Sequence, residues 1–313
     1  MLGVVLISLC ITSGLRGRGE RAARLEPRRA AVFDGDRRDA LLAAAEKDPS
    51  ALQYASADLV ADREFVLAVV GVNVEAMEWA PALRGDRAFV LEAVRRNGLA
   101  LRWASEALRG DREVVLAAVG QTGGALRWAW DELCADRGVV LAAVGQSGRA
   151  LQFARRSFRA DKEVVLAAVG QCGDALRWAS DALRRDREVV RAAVATHNYA
   201  LKWASDELRG DRAIAMTAVE HFSFALKWVS DELRGDREVV SAAINNSDYH
   251  AMQWASEDLR SDREFMLAAV RQDGRALRWA SKGLRDELAQ ERDDFIRKLL
   301  MANVARDFGS REG

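Results

Sequence analysis

The sequence predicts an all-α fold, an α-solenoid of about ten 25-residue helical-hairpin repeats followed by a C-terminal capping helix. One phrase, seen most clearly from Asp111 to Leu133, recurs about ten times along the 313 residues. Each copy opens with Asp, and successive copies are 24 to 26 residues apart. A fixed period of this length is typical of solenoids, in which neighbouring units complete each other's core. The opening residues are Asp36, Asp62, Asp86, Asp111, Asp136, Asp161, Asp186, Asp211, Asp236 and Asp262.

The first half of each repeat predicts a short helix. Asp111 is a favoured N-cap, because its carboxylate accepts hydrogen bonds from the free N–H groups of the first turn, and Glu113 suits the positive helix end. The body that follows, residues 114–119, is apolar on nearly every side, which indicates a helix placed inside, between neighbours. A strand, as in leucine-rich repeats, is the competing interpretation because the periods overlap. The Ala-rich continuation and the cap favour the helix.

The second half of each repeat predicts a second helix. After a small, polar turn at residues 121–124, the stretch from Ala125 to Leu133 has apolar residues at helical spacing with charges between them. A helix-ending Gly directly before the next Asp indicates a tight corner between repeats. Such glycines are Gly85, Gly110, Gly210 and Gly235.

The amino-acid sequence of the repeat resembles that of a known family. Copies that read Asp-Arg/Lys-Glu-Val-Val-Leu-Ala-Ala-Val and then Ala-Leu-Arg/Lys-Trp-Ala-Ser are similar to the repeat catalogued as domain of unknown function 4116. The resemblance covers residues 34–285. It implies a multi-copy helical repeat without an established activity, so it supports the architecture and adds no site.

Three segments follow from this pattern: residues 1–33, the repeat array 34–285, and a capping helix and tail, 286–313. The first segment has an apolar run within residues 2–12 and then an Arg-rich stretch. The run is too short to span a bilayer and could belong to a targeting peptide, but no Lys or Arg precedes it and no Ala-x-Ala site follows. A disordered N-terminus is the alternative, so localisation is left open. The last segment has one apolar stripe: Leu288, Phe295, Ile296, Leu299, Leu300 and Val304.

The composition argues against several classes of function. The 47 basic and 47 acidic side chains cancel, which removes any general case for a polyanionic partner. The three cysteines, Cys10, Cys134 and Cys172, form no Cys-x-x-Cys pair and no His-flanked metal spacing. No phosphate-binding Gly loop, no His-Glu-x-x-His motif and no nucleophile beside a recurring His is found. We therefore predict no catalytic residue, no metal, no cofactor and no enzyme activity.

Two positions in the second half of the repeat keep one residue type from copy to copy, and we call the residues at each position a column. The aromatic column comprises Tyr54, Trp79, Trp103, Trp128, Phe153, Trp178, Trp203, Trp228, Trp254 and Trp279. Its Ala and Leu neighbours predict a wedge in the core. The basic column comprises Arg102, Arg127, Arg177, Lys202, Lys227 and Arg278. Acidic residues four positions on are expected to neutralise most of it as i,i+4 partners. Trp130 occupies a position where other repeats have Ser. It is interpreted either as an exposed contact residue or as a local change in packing.

The predicted function is a non-catalytic scaffold that mediates protein–protein interaction. Two alternatives remain open: a nucleic-acid-binding array that uses the basic column, and an enzyme whose site is confined to a few atypical repeats.

The turns point to a partner-binding patch. In most repeats the turn is small and polar, but three consecutive turns near the C-terminal third hold every histidine and two of the three tyrosines. Stacked repeats would align these turns along one edge at steps of about 10 Å. Steps of that size are too wide for one metal ion, whereas exposed aromatic side chains often anchor partners. The alternative is that these residues have no binding role and vary freely, because their positions need only form a turn. The candidate patch comprises His197, Tyr199, His221, Phe222, Phe224, Tyr249 and His250.

Overall fold

The computed structural model describes residues 36–197, 199–245, 249–272, 274–288 and 290. These residues form helices and turns, with no strand among them. The all-α repeat fold is therefore confirmed. The chain divides after Gln146 into two compact units, the N-terminal unit and the C-terminal unit that begins at Ser147. We number the repeats 1 to 10 by their opening Asp residues.

The first helix of every repeat is present. Asp111 shows why: its backbone is extended, and its carboxylate accepts hydrogen bonds from the N–H groups of Glu113 at 2.9 Å and Val114 at 3.2 Å. The cap predicted from the sequence is thus confirmed. The helices are α1 Asp36–Lys47, α2 Arg63–Val72, α3 Arg87–Arg96, α4 Arg112–Gln121, α5 Arg137–Gln146, α6 Lys162–Gln171, α7 Arg187–Val194, α8 Arg212–His221, α9 Arg237–Asn245 and α10 Arg263–Gln272.

These first helices bury one face rather than all of their surface. In α4, Val114, Val115, Ala118 and Val119 have no exposed area, whereas Leu116 is half-buried. The same four positions are buried in α6 and α9. The predicted position between neighbours is confirmed, because α4 packs against both α3 and α5, but the helix is not covered on every side, since Leu116 and Ala117 are only half-buried. Burying this face supplies most of the apolar contact between first helices.

The second half of each repeat differs from the single helix predicted from Ala125 to Leu133. It begins with a 3-10 helix that ends at the aromatic column, and the next residue, such as Ala129 with φ −72° and ψ 156°, is extended. The 3-10 helices are Pro49–Tyr54, Val74–Trp79, Gly98–Trp103, Gly123–Trp128, Gly148–Phe153, Gly173–Trp178, Ala200–Trp203, Ser223–Trp228, Tyr249–Trp254 and Gly274–Trp279.

A third, very short element follows the extended residue. In odd-numbered repeats it is α-helical: Ala57–Ala61, Glu106–Arg109, Arg156–Arg159, Asp206–Arg209 and Glu257–Ser261. In repeats 2, 4, 6 and 8 it is a 3-10 turn: Pro81–Leu83, Leu133–Ala135, Leu183–Arg185 and Leu233–Gly235. In repeat 10, residues 282–288 are α-helical.

The break has a physical reason at the residue that follows it. Ser205 caps the third element, because its hydroxyl accepts a hydrogen bond from the N–H of Leu208 at 3.4 Å. Its own N–H donates to the carbonyl of Arg184 in the preceding repeat at 3.0 Å. In an unbroken helix that N–H would be used inside the helix. The break therefore frees a main-chain donor to join two repeats.

The same main-chain bond recurs within each unit. Its donors and acceptors are Ser105 to Arg84, Trp130 to Arg109, Ser180 to Arg159, Ser205 to Arg184, Ser230 to Arg209, Ser256 to Arg234, and Ser281 to Arg260. At one of these donors, Trp130, the side chain is 46% exposed, and its ring lies against Gly110 of the preceding repeat. The ring is thus both exposed and repacked on its neighbour.

A second link explains the Arg or Lys that follows the opening Asp. It forms a salt bridge with the opening Asp of the next repeat, so that each Asp both caps its own helix and accepts from its neighbour. The pairs are Arg63–Asp86, Arg87–Asp111, Arg112–Asp136, Lys162–Asp186, Arg187–Asp211, Arg212–Asp236 and Arg237–Asp262. Exposed ion pairs of this kind add little to the free energy of folding, so they fix the spacing of repeats more than their stability.

Gly173 illustrates how closely the repeats approach. A Cβ atom at this position would overlap the carbonyl oxygen of Ala193 in α7 and would lie 2.8 Å from the Thr196 hydroxyl. Gly98 and Gly148 approach the next repeat in the same way, at the carbonyls of Ala118 and Ala168. The glycine is therefore required by contact between repeats and not by the turn alone.

The predicted end segments are described only in small part. Residues 1–33 lie outside the described residues, as does most of the predicted capping helix at 286–313. Residues 282–288 are helical, and Leu284 and Leu288 within them are buried.

Candidate functional site

The structure brings part of the predicted patch together as one aromatic cluster, which comprises His197, Tyr199, Phe224 and Trp254. The Tyr199 and Phe224 rings meet edge to face with centroids 5.5 Å apart, and Phe224 meets Trp254 in the same way at 4.6 Å. His197 lies 5.8 Å from Tyr199. Edge-to-face geometry at these separations is favourable for aromatic rings. Tyr199 remains 41% exposed.

The rest of the predicted patch lies in other contacts. His221 and Phe222 face each other at 6.3 Å at the end of α8, where the His221 ring also lies 2.8 Å from the Thr217 carbonyl. His250 contacts Trp279 at 6.3 Å. Tyr249 begins the 3-10 helix of repeat 9. The structure therefore places Tyr199 and Phe224 at the centre of the patch and brings His221 and His250 against Phe222 and Trp279.

Local structure explains why these aromatic side chains meet. Tyr199 and Phe224 occupy the same position in successive repeats, at the start of the 3-10 helix, and their rings meet directly. At Asp174 and Phe224 this position also contacts the aromatic column of the next repeat. In repeat 6 the equivalent residue is Asp174, whose carboxylate accepts a hydrogen bond from the Trp203 indole N–H at 3.0 Å. In repeat 8 the equivalent Phe224 packs against Trp254. The residue type at this one position decides whether the contact is polar or aromatic.

The aromatic column is not the core wedge that we predicted. Trp103, Trp128, Trp178, Trp203 and Trp228 are only half-buried, and Tyr54 in repeat 1 is 70% exposed. The wedge is the Leu two residues earlier, which is fully buried at Leu101, Leu126, Leu151, Leu176, Leu201 and Leu226. A Trp at the rim of the core keeps one edge at the surface, which allows it to contact charged side chains.

The basic column alternates with the aromatic column as a cation–π ladder. Arg177 lies 5.1 Å from the centroid of Trp178 and 5.0 Å from that of Trp203. Lys202 lies 4.8 Å from Trp203 and 5.1 Å from Trp228. In the N-terminal unit, Arg102 bridges Trp103 and Trp128 at 4.7 and 5.4 Å. Each such contact contributes about 0.5–1 kcal/mol at an exposed site.

The predicted i,i+4 neutralisation of this column is wrong at Arg177, Lys202 and Lys227. Within the described residues, none of the three forms a salt bridge. The acidic residues pair instead with an Arg three positions further on, as Asp181–Arg184, Asp206–Arg209 and Asp231–Arg234. The break after the aromatic column is the reason, because it ends the helical geometry that would align positions four apart.

The profile of the family described as Domain of unknown function (DUF4116) matches six segments, residues 38–84, 86–129, 111–159, 161–209, 211–251 and 246–285. The chain belongs to the DUF4116 family. One DUF4116 match, 161–209, spans two structural repeats that open at Asp161 and Asp186. Comparison with curated proteins gives no significant match, and neither does comparison with solved structures.

The described part of this DUF4116 chain contains no group of three or more His, Cys, Asp or Glu side chains placed to hold a metal ion. Among the described helices, none is long and apolar enough to cross a membrane. Cys134 is buried beside the Leu126 carbonyl, and Cys172 is half-buried.

Sequence reasoning missed Trp254 as a member of the cluster. The available signal was its place in the aromatic column, because Trp254 is the column residue of the repeat after Phe224 and lies 30 residues further along the chain. It also missed the salt bridge from the Arg or Lys after one opening Asp to the opening Asp of the next repeat. The available signal was the basic residue that follows each opening Asp at the repeat period.

Proposed function

We propose that this DUF4116 chain is a non-catalytic scaffold that binds a protein partner through the aromatic cluster of its C-terminal unit. The observation that supports this most directly is the contiguous set of rings from His197 to Trp254, with Tyr199 41% exposed in it. Rigid aromatic side chains are enriched at the centres of interfaces, because they bury a large area with few rotatable bonds.

The border of the cluster also fits a protein interface. Lys227 lies 5.6 Å from the centroid of Phe224 and 4.9 Å from that of Trp228. An apolar centre surrounded by charged side chains is the usual arrangement of an interface, in which the polar rim excludes water from the centre.

The nucleic-acid alternative has less support. Trp203 and Trp228 each have two cations over their rings. Bases stack on open aromatic faces, and these faces are already in contact with Arg177, Lys202 and Lys227. The formal net charge of the chain is also zero, whereas nucleic-acid-binding domains are usually basic.

The test begins with affinity capture by the tagged full chain and identification of bound proteins by mass spectrometry. Each candidate is then purified and titrated against the parent chain, Tyr199→Ser, and Tyr199→Ser combined with Phe224→Ser. Tyr199→Ser is expected to weaken binding about fivefold to thirtyfold, the range for a residue worth 1–2 kcal/mol at an interface.

Trp130→Ser is the matched control, because it removes an exposed aromatic side chain from the N-terminal unit and restores the Ser found in other repeats. It should leave the affinity unchanged. Melting temperatures of all variants separate loss of binding from loss of folding. If neither cluster variant changes the Kd, or if nuclease treatment abolishes every capture, the proposed function is wrong.

A further inference from the structure

An open cleft of about 350 Å³ lies in the C-terminal unit, between the end of repeat 6 and the second half of repeat 7. Its lining includes Arg184, Arg185, Lys202, Trp203 and Arg209. This volume is at the lower end of the range for ligand sites, about 300–1,000 Å³, and is sufficient for a side chain of a partner.

The cleft carries an excess of positive charge. Of its four cations, Arg184 pairs with Asp181 and Arg209 pairs with Asp206. Among the described residues, Arg185 and Lys202 form no salt bridge. Four cations and two carboxylates, those of Asp181 and Asp206, therefore line one concave surface, which leaves an excess of two positive charges. The pKa of Asp181 is lowered mainly by the hydrogen bond from Arg184 and to a lesser extent by the charge of Arg185. Arrangements of this kind bind carboxylate or phosphate groups through charge-assisted hydrogen bonds.

Arg185 is particular to this repeat. The residue before the opening Asp is small in the other nine repeats: Gly35, Ala61, Gly85, Gly110, Ala135, Ala160, Gly210, Gly235 and Ser261. Arg185 is exposed, and no packing contact in the repeat pattern requires a long side chain there. The extra charge is therefore added to the cleft without a role in stacking the repeats.

The wall of the cleft is held in place. The Trp203 indole donates to Asp174 at 3.0 Å, and Lys202 lies against both Trp203 and Trp228. A cation restrained by two rings loses little side-chain entropy when it binds an anion, so the site is partly preorganised.

We propose that this cleft binds a carboxylate side chain of an acidic segment in the protein partner. The inference rests on the proposed function and deepens it. Tyr199 stands three residues before Lys202 on the same 3-10 turn, so one partner segment reaches both sites. An aromatic or aliphatic side chain of the partner contacts the aromatic cluster, and an adjacent Asp or Glu enters the cleft.

The experiment uses the purified full chain and a fluorescein-labelled hexaglutamate peptide, with hexaglutamine as the uncharged control, and measures fluorescence anisotropy at low ionic strength. Arg185→Ala introduces the residue found at 135 and 160, and Lys202→Gln introduces the residue found at 152 and 253. Each is expected to weaken hexaglutamate binding about tenfold, the loss of one hydrogen bond to a charged group. Arg191→Ala removes an exposed cation of α7 outside the cleft and should change binding less than twofold.

The inference is overturned if Arg185→Ala and Arg191→Ala have equal effects, or if hexaglutamine binds as well as hexaglutamate. It is also overturned if inorganic phosphate competes far better than acetate, or if a single-stranded oligonucleotide binds more tightly than hexaglutamate and loses binding in Arg185→Ala. Tyr199→Ser separates the two proposals, because it should leave hexaglutamate binding intact. If hexaglutamate fails to bind while Tyr199→Ser still weakens the partner, the cleft has no such role and the scaffold proposal stands.

Discussion

Replacing Gly173 by Ala tests whether the repeats are in contact at the backbone level. The added Cβ would lie 2.8 Å from the Thr196 hydroxyl and would overlap the Ala193 carbonyl oxygen, whereas real Cβ atoms essentially never come within 3.0 Å of another heavy atom. The Ala193 carbonyl cannot rotate away, because it accepts main-chain hydrogen bonds from Thr196 and His197 at 3.2 Å each. The end of α7 must therefore move, together with its buried face.

Overpacking of this kind costs about 1–3 kcal/mol. For a unit of this size we expect the melting temperature to fall by roughly 2–12 °C. The assay is thermal unfolding followed by far-ultraviolet circular dichroism, with urea unfolding as a second measurement.

Gly170→Ala is the matched control in the preceding helix. A Cβ at Gly170 would have no neighbour within 4 Å, and Ala is favoured over Gly in a helix by up to about 1 kcal/mol. This variant should melt at or above the temperature of the parent. A Gly173→Ala protein that is as stable as Gly170→Ala would refute the close approach described above.

Leu176→Ala should lower the free energy of unfolding by about 2–5 kcal/mol, because Leu176 is fully buried. Trp178→Ala should cost less, since Trp178 is half-buried, and paired urea titrations would reverse our assignment of the core if they ranked the two the other way. Acid should weaken the link between repeats 6 and 7. The hydrogen bond from Lys162 holds the pKa of Asp186 below its usual value of 3.8, against the opposing effect of burial. Its contribution is therefore complete above pH 3.8 and is lost as the pH falls through the lower folded pKa. Lys162→Gln should reduce the drop in melting temperature between neutral and acidic solution; an identical drop would contradict this role for the pair.

The sequence was a good guide where the determining interactions are local. Asp111 and its equivalents cap helices for reasons contained within four residues, so the start of every first helix could be predicted. The break after the aromatic column also had a local signal, the Ser followed by acidic residues, which is itself a cap pattern. The apolar residues from Ala125 to Leu133 keep helical spacing across the break, so the pattern predicted one continuous helix there.

The site was harder to predict because it depends on the distance between repeats. Phe224 meets Trp254, and Arg177 meets Trp203, only because successive repeats stack at a particular offset. Nothing within one 25-residue phrase sets that offset. For the same reason, sequence reasoning paired the basic column with acidic residues on its own helix, although in the structure Arg177 and Lys202 each lie between the ring of their own repeat and the ring of the next repeat.

The main-chain hydrogen bond that joins successive repeats, such as Ser205 to Arg184, has a consequence for how such arrays change over generations. Its donor and acceptor are backbone groups, so Trp130 can take the place of Ser without loss of the bond. Every repeat joined in this way offers the same acceptor to its successor and the same donor to its predecessor. Duplicating or excising a segment at the repeat period therefore recreates a working joint at the new boundary. Copy number can drift by unequal recombination, while surface positions such as Arg185 diversify one repeat at a time.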